Sequence, residues 1–372
     1  MQNYDLDNFE PAAKIVVIGV GGAGNNAVNR MIDEEIANVE FWVANTDKQA
    51  LSTSKSMHRL ILGEEITGGL GAGGEPEIGE KAAEASQDDI REIVKDANMV
   101  FVAAGMGGGT GTGAAPVVAR LARDAGALVV GIVTRPFTFE GKKRVVNSIS
   151  GLNKLRENVD AIIVVSNDKL LMTAGNSSIS NAFNESDKVL AQSVKTVVNL
   201  ILLPAVINLD FADVRSTLKD AGVSMIGFGV GSGPTRAKDA ANAALNSPLL
   251  EASIAGARRA IVAVTCGPNV SLFDAQDTVN LLINASGHDV DVKFGVAIND
   301  QLNDEILVSV IASDFEEEFD FSRPASYQAP TRPVENTVLA PLNNNSEEEN
   351  KDNDSKDENL DVTSILPGFL NN

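Results

Sequence analysis

Two kinds of hydrophobic pattern alternate along the first half of the chain. Short apolar runs, such as 14–19 and 99–104, are typical of buried strands, and the stretches between them have apolar residues at helical spacing. Further strands are expected at 39–44, 128–134 and 161–165, and helices at 25–34, 77–95, 114–125 and 142–157. The alternation predicts an α/β fold with a Rossmann-like, mostly parallel sheet covered by helices on both faces.

A longer helical pattern occupies the middle of the chain. Apolar residues recur every three or four positions from 179 to 203, and Pro204 follows directly. Such a helix is about 37 Å long and can connect two subdomains. A smaller α/β domain is predicted after it, with helices at 211–219, 236–246 and 274–285 and strands at 224–230, 259–265, 291–299 and 305–311.

The composition changes after residue 315. The chain becomes rich in Asn, Glu, Asp, Ser and Pro, which predicts a disordered acidic linker, and it turns apolar again at 361–370. A short apolar end is typical of a docking peptide, and an unstructured end is the alternative. The predicted organisation is a flexible N-terminus (1–12), a first domain (13–178), a central helix (179–203), a C-terminal domain (204–315), a linker (316–360) and a docking peptide (361–372).

The chain is strongly acidic. Its 372 residues have a formal net charge of −21, and the 14 acidic and 4 basic residues from Asp314 onward contribute −10. This charge argues against binding to nucleic acid and against direct docking on anionic lipid. It does not exclude a nucleotide, because backbone N–H groups and Mg²⁺ can neutralise phosphates locally.

The cysteine and histidine content argues against an internal disulfide and against a zinc site. Cys266 is the single cysteine and is expected in the core, and the two histidines lie too far apart to suggest a zinc site. No metal site is expected from the chain's own side chains.

The first residues lack the apolar core of a signal peptide, and no apolar run approaches ~20 residues, so a cytoplasmic protein without membrane insertion is expected.

Three glycine clusters are the candidate chemical sites. Residues 19–24 fit the pattern G-x-G-x-x-G between a strand and a helix, which dinucleotide sites share. Residues 107–113 contain five glycines and two threonines, whose backbone and hydroxyl groups suit phosphate oxygens. The third cluster, 68–74, is expected to close over a nucleotide that lies across the first two. The Walker A pattern with its lysine is absent.

The loop GGGTGTG (107–113) is characteristic of the tubulin and FtsZ superfamily, and the chain resembles the bacterial FtsZ family in particular. Other matching stretches are GVGGAGNNAVNRM (19–31), NTDKQAL (45–51), GLGAG (69–73), TRPFTFEGKKR (134–144), NDKLL (167–171), NLDFADVRS (208–216) and SPLLE (247–251). The resemblance implies a tubulin-like GTPase that polymerises head to tail. Its filaments would form the septal ring of bacterial cell division and hydrolyse GTP to GDP and phosphate between subunits.

The resemblance also implies which residues bind GTP and Mg²⁺. Asn167, Phe183 and Asp187 would hold the guanine, with the carboxylate accepting hydrogen bonds that adenine does not donate. The other implied contacts of the nucleotide and its metal are Gly21, Gly22, Ala23, Gly24, Asn25, Asn26, Asp47, Ala72, Gly73, Gly105, Gly108, Gly109, Thr110, Gly111, Thr112, Glu140 and Arg144.

The catalytic group implied by the resemblance lies at 208–213. Asp210 and Asp213, supported by Asn208, would enter the nucleotide pocket of the next subunit and polarise the attacking water. Spacing alone favours another interpretation, in which Asp210 caps helix 211–219 and Asp213 complements its dipole. The two roles are compatible. Ala205 replaces a glycine that is common in the family, which would limit positive φ in this loop.

Two alternatives come from other functional classes. An NAD-binding oxidoreductase would use residues 19–24 with Asp47 on the ribose, but it leaves GGGTGTG and 208–213 unexplained. A scaffold that binds GTP without hydrolysing it would have no use for the two aspartates.

The terminal LPGFLNN resembles the docking peptide of the family without its usual basic residues, and division proteins and membrane tethers are the expected partners there.

Overall fold

The computed structural model describes residues 13–174, 179–202, 205–247, 254, 256–286, 290–315 and 319–322. Their strands are β1 (Ile15–Val20), β2 (Glu40–Asn45), β3 (His58–Ile61), β4 (Met99–Gly105), β5 (Leu128–Arg135), β6 (Ala161–Ser166), β7 (Gly222–Gly231), β8 (Ala257–Cys266), β9 (Asp291–Ile298) and β10 (Ile306–Phe315). Their helices are α1 (Gly21–Asp33), α2 (Lys48–Ser52), α3 (Glu64–Thr67), α4 (Pro76–Ala85), α5 (Gln87–Val94), α6 (Thr110–Asp124), α7 (Lys142–Arg156), α8 (Asn167–Ala174), α9 (Ile179–Leu202), α10 (Phe211–Leu218), α11 (Arg236–Leu245) and α12 (Leu272–Ser286).

These strands form one sheet in the order β3-β2-β1-β4-β5-β6-β7-β10-β8-β9. Neighbours from β3 to β7 run parallel, and Ile18 of β1 lies between Trp42 of β2 and Val102 of β4. One face packs against α4 to α7 and the other against α1, α9 and α10. The central strands β1 and β4 are apolar along their whole length because helices cover both faces. The predicted α/β fold is confirmed.

The C-terminal strands extend this sheet. β7 pairs with β6 only over residues 222–224, whereas β10 runs antiparallel to β7 and β8 over long registers. β8 and β9 are parallel, and α11 and α12 pack against these strands in a separate hydrophobic core. The smaller α/β domain is therefore joined to the first one by a short strand pairing and by Ile226, Ile261 and Ile311, which lie in the core beside α9 and α10.

Helix α9 crosses the sheet between the two parts. Leu190, Val194 and Val197 are buried on it against the strands of the first part. Its 24 residues span about 36 Å. The helix begins beside the residues that were predicted to hold a base and ends just before the predicted catalytic loop.

Several boundaries differ from the predictions. Helices α1 and α6 begin at Gly21 and Thr110, four residues earlier than predicted, because glycine is a poor helix former and conceals the first turn. The helix predicted over 77–95 is two helices that meet at Ser86, whose hydroxyl accepts the N–H of Gly63 at 3.0 Å. Elements α2, β3, α3 and α8 were not predicted, since each is too short to show a period.

Part of the predicted linker packs against the first domain. Phe321 is 1% exposed in the core of that domain, with Phe319 beside it. Arg156, at the end of α7, donates to the Phe319 carbonyl at 3.2 Å and lies 5.7 Å from the centre of the Phe321 ring. The disorder predicted from residue 316 therefore does not apply to 319–322. The predicted N-terminus (1–12), the rest of the linker and the docking peptide lie outside the described residues.

Two further expectations concern the core and the membrane. Cys266 is buried, as expected, and burial, together with the nearby Asp274 carboxylate, raises the pKa of its thiol to about 11. No helix within the described ranges has the length and apolar character needed to cross a membrane.

Candidate nucleotide site

The first two glycine loops contact each other at the carboxyl ends of β1 and β4. Gly21 has a φ of +74°, and a Cβ atom on it would lie 2.8 Å from the backbone nitrogen of Gly111. A Cβ atom on Gly111 would lie 2.6 Å from the carbonyl oxygen of Gly105. Glycine is needed at these contacts because no side chain fits between the backbones. The strand order reverses at β1, which is where open α/β sheets bind ligands.

Open space lies in front of both loops. A Cβ atom on Gly22 or Gly108 would meet no heavy atom within 4 Å. Gly22 lies in the first turn of α1, and Gly108 precedes the first residue of α6, so free N–H groups and the positive ends of two helices are available there. This is the environment that a chain of phosphates requires.

Close packing explains two other predicted contacts. A Cβ atom on Gly24 would lie 2.3 Å from the carbonyl oxygen of Ala103, so this glycine lets α1 approach β4. A Cβ atom on Gly105 would lie 2.6 Å from the methyl group of Ala23. Both glycines are therefore required by the fold of the loops, whether or not a ligand is bound.

Two polar side chains that were predicted to face the ligand are used inside the loops. Thr112 is 1% exposed, and its hydroxyl accepts the N–H of Gly107 at 2.8 Å. Asn25 is 3% exposed, and its side-chain amide faces the carbonyl oxygens of Gly19 and Gly21, so the amide orientation that satisfies both is the one in which the nitrogen donates to them, at 3.0 and 2.9 Å. Both side chains therefore shape a loop from within.

Thr110 is contacted by a residue that the sequence did not single out. The hydroxyl oxygen of Thr46, which is fully buried, lies 2.7 Å from that of Thr110. The Thr46 carbonyl accepts the N–H of Gly71 at 3.1 Å. Thr46 therefore joins the second glycine loop to the third. The sequence did place Thr46 directly after β2, at the edge of the sheet where the loops lie. Only the neighbouring Asp47 was predicted there, because of its carboxylate.

The third loop contacts the second. Ala72 is buried, and its methyl group lies 2.8 Å from the place of a Cβ atom on Gly109. Gly73 has a φ of +60° and faces open space. Asp47 caps α2 by accepting two backbone N–H groups at 2.8 and 3.2 Å. The structure thus brings Ala72 to the second loop, leaves Gly73 facing open space, and gives Asp47 a capping contact.

Helix α7 fastens these two loops to each other. The side-chain amide of Asn147 donates to the carbonyls of Gly74 at 3.3 Å and Gly107 at 3.4 Å. Lys143 forms an ion pair with Glu75 at the end of the third loop. Neither α7 residue was predicted, because a single polar residue on an exposed helix face carries no pattern.

The residues predicted to hold the base lie on α8 and α9. Asn167 is buried, and its Oδ1 accepts the Ser186 hydroxyl at 2.8 Å. Phe183 is 41% exposed and meets Phe137 edge to face, with ring centres 5.0 Å apart. An exposed aromatic ring beside a buried amide suits a planar base.

Asp187 has a strongly perturbed environment one helical turn beyond Phe183. Burial raises the pKa of its carboxyl from 3.8 to about 7, against the positive charge of Arg30, which lowers it. A carboxylate with a raised pKa is a strong acceptor, and such groups are concentrated at functional sites. Asn26, on α1, is exposed at the surface.

The segment before α7 is held by carboxylates. Glu140 accepts the N–H of Phe137 at 2.9 Å and forms an ion pair with Arg144. Asp168, which was not predicted, accepts the N–H of Thr138 at 2.9 Å. Glu140 is therefore nearly covered by its own partners, whereas Arg144 retains an exposed side chain.

The predicted catalytic residues lie at the other end of α9. Asp210 is the N-cap of α10, and the side chains of Asp210 and Asp213 each accept the backbone N–H of the other. Asn208 accepts the N–H of Ala205 at 2.6 Å within the loop. The loop is fixed to the edge strand β9, because Ile207 and Val296 form an antiparallel bridge. The capping role that spacing favoured is present.

Glycine-rich loops lie at the N-termini of two helices, where the strand order of the sheet reverses, and this arrangement is that of a nucleotide-binding protein. Comparison with known proteins identifies its family. Residues 14–175 match the GTPase domain of the Tubulin/FtsZ family, and residues 222–316 match the FtsZ family C-terminal domain. The FtsZ dimer of M. jannaschii is 40% identical over 81% of this chain and 88% of that chain, with a TM-score of 0.77. A tryptophan-to-tyrosine mutant of M. jannaschii FtsZ is 39% identical over 83% and 94%, with a TM-score of 0.78.

A third solved structure shares the fold at lower identity. CetZ2 from Haloferax volcanii is 23% identical over 83% of this chain and 95% of that chain, with a TM-score of 0.70. The chain belongs to the Tubulin/FtsZ family and is a GTPase. The resemblance seen in the sequence is confirmed, and guanine nucleotide is its ligand.

Proposed function

We propose that this GTPase assembles head to tail into filaments, and that the acidic pair of one molecule acts on the GTP bound by the next. The separation of the two halves of the site along α9 is the observation that carries the proposal. Phe183 and Asp187 lie in its first turns, about 22–28 Å from Leu202 at the rise of an α-helix, and Asp210 lies eight residues after Leu202. Within one chain the acidic pair and the nucleotide are far apart. In a filament, the acidic pair of one copy can reach the nucleotide that the next copy binds.

Exposed apolar residues at both ends support such an assembly. Leu70 in the third glycine loop is 88% exposed, and Phe139 before α7 is 60% exposed. Beside the catalytic loop, Val206 is 63% exposed, and Ile298, at the end of β9, is 59% exposed. Different surfaces that meet in a head-to-tail contact generate an open filament when the rotation does not close a ring. The similar FtsZ of M. jannaschii has itself been solved as a dimer.

The backbone of the glycine loops would bind the phosphates. Gly22 and Gly108 offer open space, and Arg144 offers an exposed cation at the edge of the second loop. Asn167, with Asp187, would select guanine through its N–H groups. The remaining implied residues act by shaping or lining this surface.

Magnesium fits this site as a companion of the nucleotide. Across the described ranges, no group of three His, Cys, Asp or Glu side chains is placed to hold a metal ion by itself. Mg²⁺ would therefore be held mainly by phosphate oxygens, with Asp47 as the candidate side chain. When bound, it neutralises phosphate charge and makes the terminal phosphate easier to transfer.

The acidic pair would orient the attacking water. A new bond forms from the water oxygen to the γ-phosphorus while the bond to the bridging oxygen breaks, which releases GDP and phosphate. In the capping arrangement the Oδ2 of Asp210 and the Oδ1 of Asp213 are not used by the reciprocal bonds, so they can accept from water.

At the cellular level we propose that the filaments form the cytokinetic ring at the division site in the cytoplasm. The predicted docking peptide (361–372) would bind division proteins and membrane tethers, since the chain is too acidic for anionic lipid. Residues 13–178, 179–203 and 204–315 would act as the GTP-binding domain, the central helix and the C-terminal domain.

The test is to compare nucleotide binding, assembly and hydrolysis in Asp213→Ala. This variant should bind GTP and sediment as polymer while releasing phosphate at least about a hundredfold more slowly, because the water loses its acceptor. Full phosphate release would reject the catalytic role. Tight binding of NAD without GTP would favour the oxidoreductase alternative, and GTP binding without any hydrolysis by the wild type would favour the scaffold.

A further inference from the structure

The last turn of α10 contacts a guanidinium group of the C-terminal domain. Arg259, on β8 of the C-terminal domain, donates from Nη1 to the carbonyl of Ser216 at 2.7 Å and to that of Lys219 at 3.2 Å. These carbonyls belong to the end of the helix, where no further helical N–H is available. A cation there also complements the negative end of the helix dipole.

Arg259 is itself fixed in place. Its Nε lies 3.1 Å from the Oδ2 of Asp314 on β10, and its side chain is 22% exposed. Next to Asp314, the fully buried hydroxyl of Ser313 lies 3.1 Å from the carbonyl of Thr217, a third carbonyl of the same helix end. The contacts come from β8 and β10, so the end of α10 rests on the C-terminal sheet.

The first and last turns of α10 are therefore coupled by a short rigid rod. The helix has eight residues and is about 12 Å long. Its N-terminal end carries Asp210 and Asp213, and the preceding loop is bridged to β9 through Ile207. A tilt at the Arg259 end would move the two carboxylates by a similar amount, and a misplacement of about 1 Å can cost a hundredfold in rate.

We propose that Arg259 is a positioning residue for GTP hydrolysis: it fixes the direction of α10 and so aims the Asp210–Asp213 pair at the nucleotide of the neighbouring molecule. The proposal rests on the shared site proposed above. It assigns to the C-terminal sheet the task of holding both ends of the catalytic segment.

Substitution of Arg259 tests this role with less effect on stability than substitution of Lys219, the other cation at the end of α10. Lys219 donates to Asp160 at 3.1 Å, and Asp160 is fully buried between the two domains. Removal of Lys219 would leave that carboxylate without one of its partners, which costs stability. The partner of Arg259, Asp314, is 36% exposed in its side chain and can be solvated.

The first experiment compares Arg259→Ala, Arg259→Lys and Arg258→Ala. Arg259→Ala should lower kcat about tenfold to a hundredfold with unchanged GDP affinity and with polymer formed at a similar protein concentration. Arg259→Lys should recover part of the rate, because an ammonium group can still donate to the helix carbonyls. Arg258→Ala removes the same charge from the adjacent exposed position of β8 and should retain the wild-type rate.

The second experiment asks whether the defect lies in the contributed helix. Arg259→Ala has a wild-type nucleotide site, and Asp187→Ala has a wild-type α10, so a mixture contains contacts in which both halves are intact. The rate of the mixture should exceed the sum of the two separate rates. Asp213→Ala mixed with Asp187→Ala is the reference, since it tests the shared site without involving Arg259.

The outcomes separate the two claims. Recovery in both mixtures supports the positioning role. Recovery in the reference but not with Arg259→Ala overturns that role, because the variant is then defective beyond its α10. Equal kcat for Arg259→Ala and wild type also overturns it. Failure of the reference mixture rejects the shared site, and the positioning proposal with it.

Discussion

Asp210 and Asp213 cap one helix reciprocally: the Oδ1 of Asp210 accepts the N–H of Asp213 at 2.8 Å, and the Oδ2 of Asp213 accepts the N–H of Asp210 at 3.3 Å. This capping box fixes the spacing of the two carboxylates before any partner arrives. The same side chains therefore start α10 and present acidic oxygens at its end. Capping and catalysis are different uses of the two oxygens of each carboxylate.

The two uses can be separated by substitution at Asp210. Asparagine is as good an N-cap as aspartate, so Asp210→Asn should change the free energy of unfolding by less than about 0.5 kcal/mol. It removes the negative charge, and phosphate release should fall at least about tenfold. Thermal unfolding and a phosphate-release assay measure the two effects.

Asp210→Ala is the matched control. It removes cap and charge together, and should lose about 1 kcal/mol of stability in addition to activity. Wild-type activity in Asp210→Asn would contradict a catalytic use of its carboxylate and leave Asp210 as a cap only.

The raised pKa of Asp187 predicts a pH dependence of nucleotide binding. Burial raises this pKa to about 7 in the nucleotide-free protein, and the ionised form is the one that accepts both guanine N–H groups. Binding then requires loss of a proton below pH 7. GDP affinity should fall as the pH is lowered from 7 to 5, approaching tenfold per pH unit, and should be flat above pH 8.

Asp187→Asn is the control for this dependence. The variant should bind GDP more weakly at pH 8, with little change in affinity between pH 8 and pH 5. Titrations with a fluorescent GDP analogue measure both proteins. A wild-type affinity that stays constant down to pH 5 would show that Asp187 does not ionise on binding.

Gly108 and Gly111 should respond differently to alanine. A Cβ atom on Gly108 enters open space, so Gly108→Ala should unfold at the wild-type temperature but bind GDP at least about tenfold more weakly, since the methyl group occupies the proposed place of the phosphates. A Cβ atom on Gly111 would lie 2.6 Å from the Gly105 carbonyl oxygen, so Gly111→Ala should lose about 1–3 kcal/mol of stability without ligand. Unchanged GDP affinity in Gly108→Ala would place the phosphates elsewhere.

Phe321 should stabilise the first domain, although it lies far outside residues 13–178 of that domain. It is 1% exposed, so Phe321→Ala should lower the free energy of unfolding by about 3–5 kcal/mol. Phe273 is 78% exposed, and Phe273→Ala, the same chemical change, should have an effect within about 0.5 kcal/mol. Denaturant titrations of the two variants check this, and equal stabilities would refute the packing role.

The sequence predicted the strands and the two-part architecture well because buried parallel strands are continuous apolar runs. It failed where the deciding contact is not periodic. The first turns of α1 and α6 are rich in glycine, which propensity assigns to loops, although contacts such as Gly21 with Gly111 require glycine there. Phe321 lies among acidic residues, and only its distant contact with Arg156 shows that it is buried.

The functional residues divide in a similar way. Motif comparison placed the glycine loops and the acidic pair, but it could not tell which side chains face outward. Thr112 and Asn25 are buried inside the loops, whereas Thr46 and Asn147 join loops that are far apart in sequence. A one-dimensional pattern carries no information about such pairings.

The most direct test of the shared site is the rate of GTP hydrolysis per molecule as a function of protein concentration, recorded together with light scattering. The rate per molecule should be near zero in dilute solution and should rise with the scattering signal, because the nucleotide meets Asp210 and Asp213 only when two copies join. A rate per molecule that is constant from dilute protein to polymer would mean that one chain contains the whole site, and would contradict the account.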